Sequence, residues 1–339
     1  MMHNKIINKK LLSLGDRYRI YVLLVLVFAV MTLFAPHFFN AWNLTSIMKT
    51  VAMNGTVAIG FTIILIVGQL DLSIGTIITF AAVIGLGLKE AVGYGVSVPL
   101  AIIAGGLIGL INGLLVAKVK INSFIVTLGM LTALQGAIYT ITGGNTIAVT
   151  DDQAFAISDW LQHQIVPTLT PRVVIAIVLV ISFSVFLRRT RTGRNFFMVG
   201  GNSKTAWLAG VDSDKYTIVA FVISGVMAAI GGILFAMESA AATLNLGTNS
   251  LMYVLSATII GGTSMAGGKG GVFRSFIAVL TLTTLYNGIV LLGLGNEVQI
   301  FISGVILASV IFYEAFVEYR HDKVVGQRTE LLKELEIVR

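Results

Sequence analysis

Apolar residues run along this chain in blocks of 12 to 22, separated by short polar or glycine-rich segments. A membrane helix needs about 20 mostly apolar residues. Ten blocks meet or approach that length: Ile20–Phe34, Val51–Gly68, Leu72–Leu88, Val96–Ala117, Ser123–Thr142, Val173–Leu187, Thr217–Met237, Leu251–Gly262, Val272–Gly293 and Val298–Tyr313. The eighth is clearly short. The pattern predicts an all-α, polytopic membrane protein of about ten spans. Residues 1–19 form an N-terminal tail, 20–313 a single transmembrane domain and 314–339 a C-terminal tail. The first block follows a basic stretch and continues into Ala35-Pro36-His37-Phe38 with no small-residue cleavage site, so it reads as a retained span.

Composition supports the pattern. Of 339 residues, 56% are hydrophobic and 12% charged, about half the charge of a soluble domain. The formal charge of +7 would suggest nucleic acid in a soluble chain. Its distribution points elsewhere. With both termini cytoplasmic, residues 1–19, 118–122, 188–216, 263–275 and 314–339 lie inside and carry 20 of the 23 Lys and Arg. That is the positive-inside arrangement, and the opposite orientation would invert it. Nucleic acid is not a partner on this reading; the bilayer is.

Two connectors are long. The external one, 143–172, holds Asp151, Asp152 and Asp159 and is expected to form a cap. The internal one, 188–216, contains Asn202, which can cap a short helix over Ser203–Ala209, with Gly210 to end it. The polar tail after Tyr313 reads as solvated, although Leu331, Leu332, Leu335 and Val338 fall at helical spacing. Gly105, Gly109 and Gly113 place small residues on one face of the fourth span, where another helix can approach closely.

Catalytic chemistry is missing. The four histidines lie in loops or tails, and neither H-E-x-x-H nor G-x-S-x-G occurs. Zero cysteines remove thiolate metal sites and disulfides. Gly261–Gly270 approaches a P-loop but fails it: Thr263 stands where the first glycine belongs, and Gly270 follows Lys269. No arginine series suits a voltage sensor, and T-V-G-Y-G is absent. What remains is polar and uncharged. Asn54, Thr56, Thr62, Gln69, Ser73, Thr76, Asn112, Thr127, Thr132, Gln135 and Asn287 lie in or beside spans. Such groups suit a neutral polyhydroxy solute. Taken singly, each fits helix–helix hydrogen bonding better, at roughly 0.6–2 kcal/mol.

Three segments interrupt the apolar pattern in an organised way. Gly68-Gln69-Leu70-Asp71-Leu72-Ser73-Ile74-Gly75 puts an acid between glycines, where Asp71 either caps the next helix or lines a pathway at a broken helix. The second runs Arg191-Thr192-Gly193-Arg194 and then Gly200-Gly201-Asn202-Ser203-Lys204-Thr205-Ala206-Trp207-Leu208-Ala209-Gly210. A soluble partner could grip a short helix there. The third, Gly261–Gly271, packs six glycines into eleven residues, which suits tight backbone packing. The first and third both follow a span and bend the chain, but match poorly beyond glycine.

These motifs, with Ile111-Asn112-Gly113 and Ile125-Val126-Thr127-Leu128-Gly129, resemble the permease subunits of bacterial ATP-binding-cassette importers for ribose, galactosides, arabinose and xylose, a group related to branched-chain amino-acid permeases. The resemblance covers about Asn43 to Phe312. It implies residence in the bacterial cytoplasmic membrane and a second permease copy or paralogue. It also implies two cytoplasmic ATP-binding subunits that use ATP and Mg, with no cofactor on this chain, and an extracytoplasmic sugar-binding protein. It implies that Gly193, Gly201, Asn202, Ala206 and Gly210 belong to the ATPase-coupling segment, and alternating access as the mechanism. Pathway candidates are Asn54, Gln69, Asp71, Ser73, Asn112, Thr127, Gln135 and Asn287. Arg274, Thr205 and Leu70 depart from the family pattern. Rival readings are a permease for an amino acid or other small solute, an ion-coupled carrier that would need a buried acid such as Asp71, and a membrane scaffold.

Overall fold

The computed structural model describes residues 2–149, 151–295, 297–309, 311, 312 and 316, with side chains from Tyr18 onward. The C-terminal leucines considered above, and the end of the tenth span at Tyr313, lie outside the described residues.

The chain is helical almost throughout. In order, the helices are α1 (Met2–Phe34), α2 (Ala41–Ile66), α3 (Ile74–Gly87), α4 (Lys89–Val92), α5 (Tyr94–Ala117), α6 (Ser123–Thr142), α7 (Asp152–Gln162), α8 (Pro171–Arg189), α9 (Arg191–Gly201), α10 (Ser203–Leu208), α11 (Ser213–Ser239), α12 (Thr248–Ile260) and α13 (Val272–Leu291). A last helix, α14, covers Glu297–Ser309. Among the described residues, α2, α5, α6, α8, α11 and α13 are long and apolar enough to cross a membrane, while the apolar part of α1 and helices α3, α12 and α14 are shorter.

Sequence sets the helix ends. The Asn40, Asn122, Thr190, Asn202 and Asp212 side chains each accept a backbone N–H in the first turn of α2, α6, α9, α10 and α11. Pro171 opens α8, where a missing N–H costs nothing. Gly143 closes α6 in the left-handed conformation.

Helix α2 is the central post, with 89% of its most apolar stretch buried, and it packs against α8, α11, α12 and α13. It begins ten residues before the expected Val51, because Asn40 caps it there. Helix α6 is the opposite case: only 22% of its stretch is buried, so its apolar residues face outward, as lipid demands. The seam of α5 and α11 is close. Gly105, Gly109 and Gly113 all face α11, and a methyl on Gly109 would fall 2.2 Å from the Phe221 carbonyl oxygen.

The connections collect on two faces. One holds the α2–α3 break, the α5–α6 turn, α9–α10 and the loop 263–271. It is tied together by links such as Gly268 N–H to Ile66 O at 2.8 Å and Lys120 Nζ to Asp214 Oδ1 at 2.5 Å. The other holds α4, α7 and a two-residue antiparallel pairing of Ile147–Ala148 with Ala241–Ala242. There Arg172 at the start of α8 meets Glu238 near the end of α11 at 2.7 Å. The long connector 143–172 contains the helix α7. Asp151 begins α7 by accepting the Ala154 N–H at 2.8 Å, and also accepts from Lys89 and, at 3.0 Å, from Tyr94.

A solute-sized cavity at a broken helix

Helix α3 has 14 residues and α12 has 13, about 20 Å of helix each against about 30 Å of hydrocarbon. The remainder is irregular backbone, tolerable at membrane depth only where protein satisfies its polar groups. At the α2–α3 break the partners can be named. Ser123 Oγ accepts the Leu70 N–H at 3.3 Å, and Thr127 Oγ1 accepts the Leu72 N–H at 3.1 Å. Both hydroxyls come from the first turns of α6. Asp71 Oδ1 accepts the Ser73 N–H at 3.0 Å and the Ser73 hydroxyl at 2.5 Å, and Asp71 Oδ2 accepts the Ser224 hydroxyl at 3.3 Å. Asn112 Nδ2 in turn donates to Ser73 Oγ at 2.9 Å. Asp71, Ser73, Asn112 and Thr127 are all fully buried.

Asp71 therefore does not cap α3 in the expected way. Its carboxylate binds the N–H of Ser73, the residue that precedes the helix, and ties the break to α5 and α11. Among the described residues it forms no ion pair.

The broken helices leave a cavity of about 980 Å³, within the roughly 300–1,000 Å³ of small-molecule sites. Helices α2, α3, α6, α11, α12, α13 and α14 wall it. Of the pathway candidates, Asn54, Gln135 and Asn287 line it, beside Leu72 of the break and Gly75 and Thr76 of α3. None of its described lining residues is charged. Asn287 is held by a reciprocal amide pair with Asn43, at 2.8 and 3.0 Å. Asn54 donates to Thr50 O at 3.4 Å, and its Oδ1 has no partner among the described residues. Gln69 lies apart, in a second cavity on the face of α9 and α10, lined also by Lys120, Lys204, Trp207, Asp212 and Asp214. The structure thus divides the eight candidates: three on the first cavity, one on the second, and four in the network that holds the break.

Sequence reasoning alone misses much of the wall. Tyr253 and Tyr286 line it with ring centroids 5.5 Å apart, and Ser303 donates to Tyr286 Oη at 2.7 Å. A signal exists. Ser46, Thr50 and Asn54 recur every four residues on α2, and Gln299 and Ser303 do so on α14, so each set marks one polar stripe.

The second segment singled out in the sequence folds as two helices. The expected helix over Ser203–Ala209 is α10, Ser203–Leu208, opened by Asn202 Oδ1 accepting the Thr205 N–H at 2.9 Å and followed by Gly210 at φ +78°. Helix α9 before it is an addition to that expectation. Gly193 packs against the end of α8, where a methyl would lie 2.3 Å from Phe186 O, and Gly201 faces open space. Ala206 turns inward, while Trp207 and Leu208 are 70% and 78% exposed.

Comparison with known proteins agrees with this architecture. Residues 43–311 match the family described as branched-chain amino acid transport system / permease component. The ribose import permease protein RbsC of Escherichia coli (strain K12) is 30% identical over 302 residues, covering 87% of this chain and 92% of that protein. The L-arabinose transport system permease protein AraH of the same organism is 30% identical over 306 residues, 89% of this chain and 91% of that one. RbsC of Bacillus subtilis (strain 168) is 28% identical over 300 residues, 87% of this chain and 90% of its own length. No solved structure matches the chain. The broken helices, the uncharged cavity and a match spanning most of the sequence agree: this chain is an integral membrane protein that belongs to the branched-chain amino acid transport system permease family.

Proposed function

We propose that this chain is the membrane-spanning subunit of a bacterial ATP-binding-cassette importer for a monosaccharide such as ribose or a related sugar. The observation that carries the reading is the cavity wall. It sets amides, hydroxyls and two tyrosines among apolar side chains, and none of its described residues is charged, so it can hydrogen-bond a polyhydroxy solute without a counter-ion. The relatives for ribose and arabinose supply the substrate class.

Ten spans with both termini cytoplasmic fit the charges, because the face holding α9 and α10 is also the face of the basic connectors. The transmembrane domain then covers residues 20–313, between tails 1–19 and 314–339. Connector 188–216 couples to the ATPase and 143–172 caps the outside. Helix α10 offers Trp207 and Leu208 as an apolar knob for a cytoplasmic ATP-binding subunit, which supplies the ATP and Mg chemistry that this chain has no motif for. Gly193, Asn202, Ala206 and Gly210 shape that knob, and Gly201 leaves room beside it. A sugar-binding protein delivers the solute to the cap side, at the loops around 143–172, 238–250 and 293–297. A second permease copy or paralogue completes the pathway. Asn54, Gln135 and Asn287 contact the sugar as it crosses. Asp71, Ser73, Asn112 and Thr127 keep the break rigid, and Gln69 faces the cytoplasmic exit. Alternate opening of the two faces moves the solute, with no covalent change.

The test is sugar uptake into vesicles holding the permease, the ATPase and the binding protein. ATP-dependent accumulation of a pentose is expected. Equal uptake without ATP or without the ATPase overturns the proposal.

A further inference from the structure

We propose that Gly200 is the joint through which movement of α10 reaches the sugar cavity; this rests on the importer reading above. Gly200 stands near the end of α9, two residues before the Asn202 that caps α10. It abuts the last turn of α2 backbone to backbone. A methyl on Gly200 would fall 1.7 Å from Ile66 O and 2.7 Å from Gly268 N. The same Ile66 carbonyl accepts the Gly268 N–H at 2.8 Å. Helix ends leave such carbonyls without an intrahelical partner, and here the glycine-rich loop takes one. The loop closes the joint from the other side. A methyl on Gly267 would lie 2.6 Å from Gly200 O and 2.9 Å from Gly68 Cα, and one on Gly268 would lie 2.7 Å from Gly201 Cα. Thus all three organised segments of the sequence meet at one point.

What lies beyond the joint gives it consequence. Gly68, at φ +76°, turns the chain into the break. Six residues after Ile66 stands Leu72, which with Gly75 and Thr76 forms part of the cavity wall. Between them the break is braced by Asp71, Ser73, Asn112 and Ser224. A displacement at Ile66 therefore moves the start of α3 as a body. Contacts between side chains could absorb such a displacement by changing rotamer. Contacts between backbones cannot, because close-packed atoms transmit strain. Gly200 thus acts as a positioning residue: it touches no solute and sets where α3 stands.

The experiment uses the complete complex in vesicles. The chain has no cysteine, so Thr76→Cys gives a single thiol at the cavity wall. The rate at which a membrane-permeant maleimide alkylates that thiol is compared in the nucleotide-free and the ATP-plus-vanadate-trapped complex. A change of about tenfold is expected, in the usual range of coupling between sites. Gly200→Ala is expected to assemble and hydrolyse ATP while losing about tenfold of sugar uptake per ATP, with the response of the introduced thiol reduced to less than about twofold. Gly95→Ala, whose methyl meets nothing within 4 Å, controls for loss of a helical glycine and keeps the uptake of the parent. Equal labelling of the introduced thiol in both nucleotide states overturns the joint, and this arm stands alone if Gly200→Ala does not assemble. Undiminished uptake per ATP in Gly200→Ala overturns it as well. Failure of the parent complex to use ATP for uptake sinks the importer reading instead, and the joint with it.

Discussion

Replacing Gly109 with alanine places a methyl group where the α5–α11 seam has no room. Its nearest atom would be Phe221 O at 2.2 Å, followed by Phe221 C at 2.9 Å and Val222 Cα at 3.1 Å, all backbone that cannot rotate away. Relief needs the helices to part by about 1.2 Å, and a gap of that order forfeits up to half of each dispersion contact it opens. Overpacking of this kind costs about 1–3 kcal/mol. Lipid supplies no hydrophobic pressure to hold the helices together. Alanine returns up to about 1 kcal/mol of helix propensity, and a backbone clash at 2.2 Å belongs at the upper end of the overpacking range, so the net loss is about 2 kcal/mol. Gly129 of α6 gives the contrast, since a methyl there meets nothing within 4 Å and only the propensity gain remains. Thermal unfolding of the purified permease in detergent, followed by tryptophan fluorescence, should show a Tm several degrees lower for Gly109→Ala and unchanged or higher for Gly129→Ala. Gly225 faces the same seam, with its methyl position 2.1 Å from Gly105 O. Helices already parted by one alanine accept the second more cheaply, so the double variant Gly109→Ala/Gly225→Ala should lose less than the two single losses added. A Gly109→Ala protein as stable as its parent would refute the close seam.

Other predictions concern the cavity, α10 and the connector that holds α7. Asn54→Asp puts a charge into an uncharged wall; pentose uptake in the vesicle assay should fall about tenfold or more, since a desolvated charge is costly, while the amount of folded protein stays the same. Trp207→Ala should weaken co-purification with the ATPase by at least about tenfold, the scale of an aromatic hot spot. Because Trp207 is 70% exposed, the Tm of the isolated permease should not move. At the start of α7, the Lys89 ammonium holds the Asp151 carboxyl down at about 2, aided by the Ala154 N–H and the Tyr94 hydroxyl. An unfolded Asp titrates near about 3.9. The carboxylate's contribution is therefore present above about pH 4 and is lost as pH falls toward about 2. Peptic cleavage within α7 should be slower in the parent than in Asp151→Asn at about pH 4, and the difference should vanish near about pH 2.

Local signals in the sequence reach far in this chain, and they stop at an identifiable point. The α6 boundaries, Ser123–Thr142, follow from Asn122 at one end and Gly143 at the other, because a capping amide and a left-handed glycine act within a few residues. The short α10 follows from Asn202 in the same way. The i, i+4 glycines of α5 announce a close helix neighbour, although not that it is α11. Helix α9 escapes because it is a short amphipathic helix hidden inside a basic connector, with Phe196 and Val199 buried and Arg191 and Arg194 exposed. The cavity escapes for a different reason. Tyr253, Tyr286, Asn54 and Gln135 stand on four helices, and no spacing along the chain reports which helices meet. The joint at Gly200 is of the same kind: three glycine-rich segments are visible separately, and their meeting is a property of the fold.

Asp71 decides between an external motor and an ion-coupled carrier. A coupling acid must exchange protons with the solute pathway. Asp71 is fully buried and lines neither cavity, and among the described residues its oxygens accept only from Ser73 and Ser224. Those contacts give it a bracing role, and two substitutions separate the roles. Asparagine at position 71 keeps the oxygen that receives both Ser73 bonds and turns its NH₂ toward the Ser224 hydroxyl, which can accept. Asp71→Asn should therefore sustain ATP-driven uptake within about threefold of the parent, since a net hydrogen bond is worth only about 1 kcal/mol. Alanine leaves the buried Ser73 N–H and hydroxyl without acceptors, at about 1–3 kcal/mol for each orphaned group. Asp71→Ala should lower both Tm and uptake, because the break loses its brace to α11. A proton carrier predicts no such separation, with Asp71→Asn as inactive as Asp71→Ala because neither can be ionised. Uptake abolished in Asp71→Asn with Tm unchanged would return the buried acid to the transport chemistry.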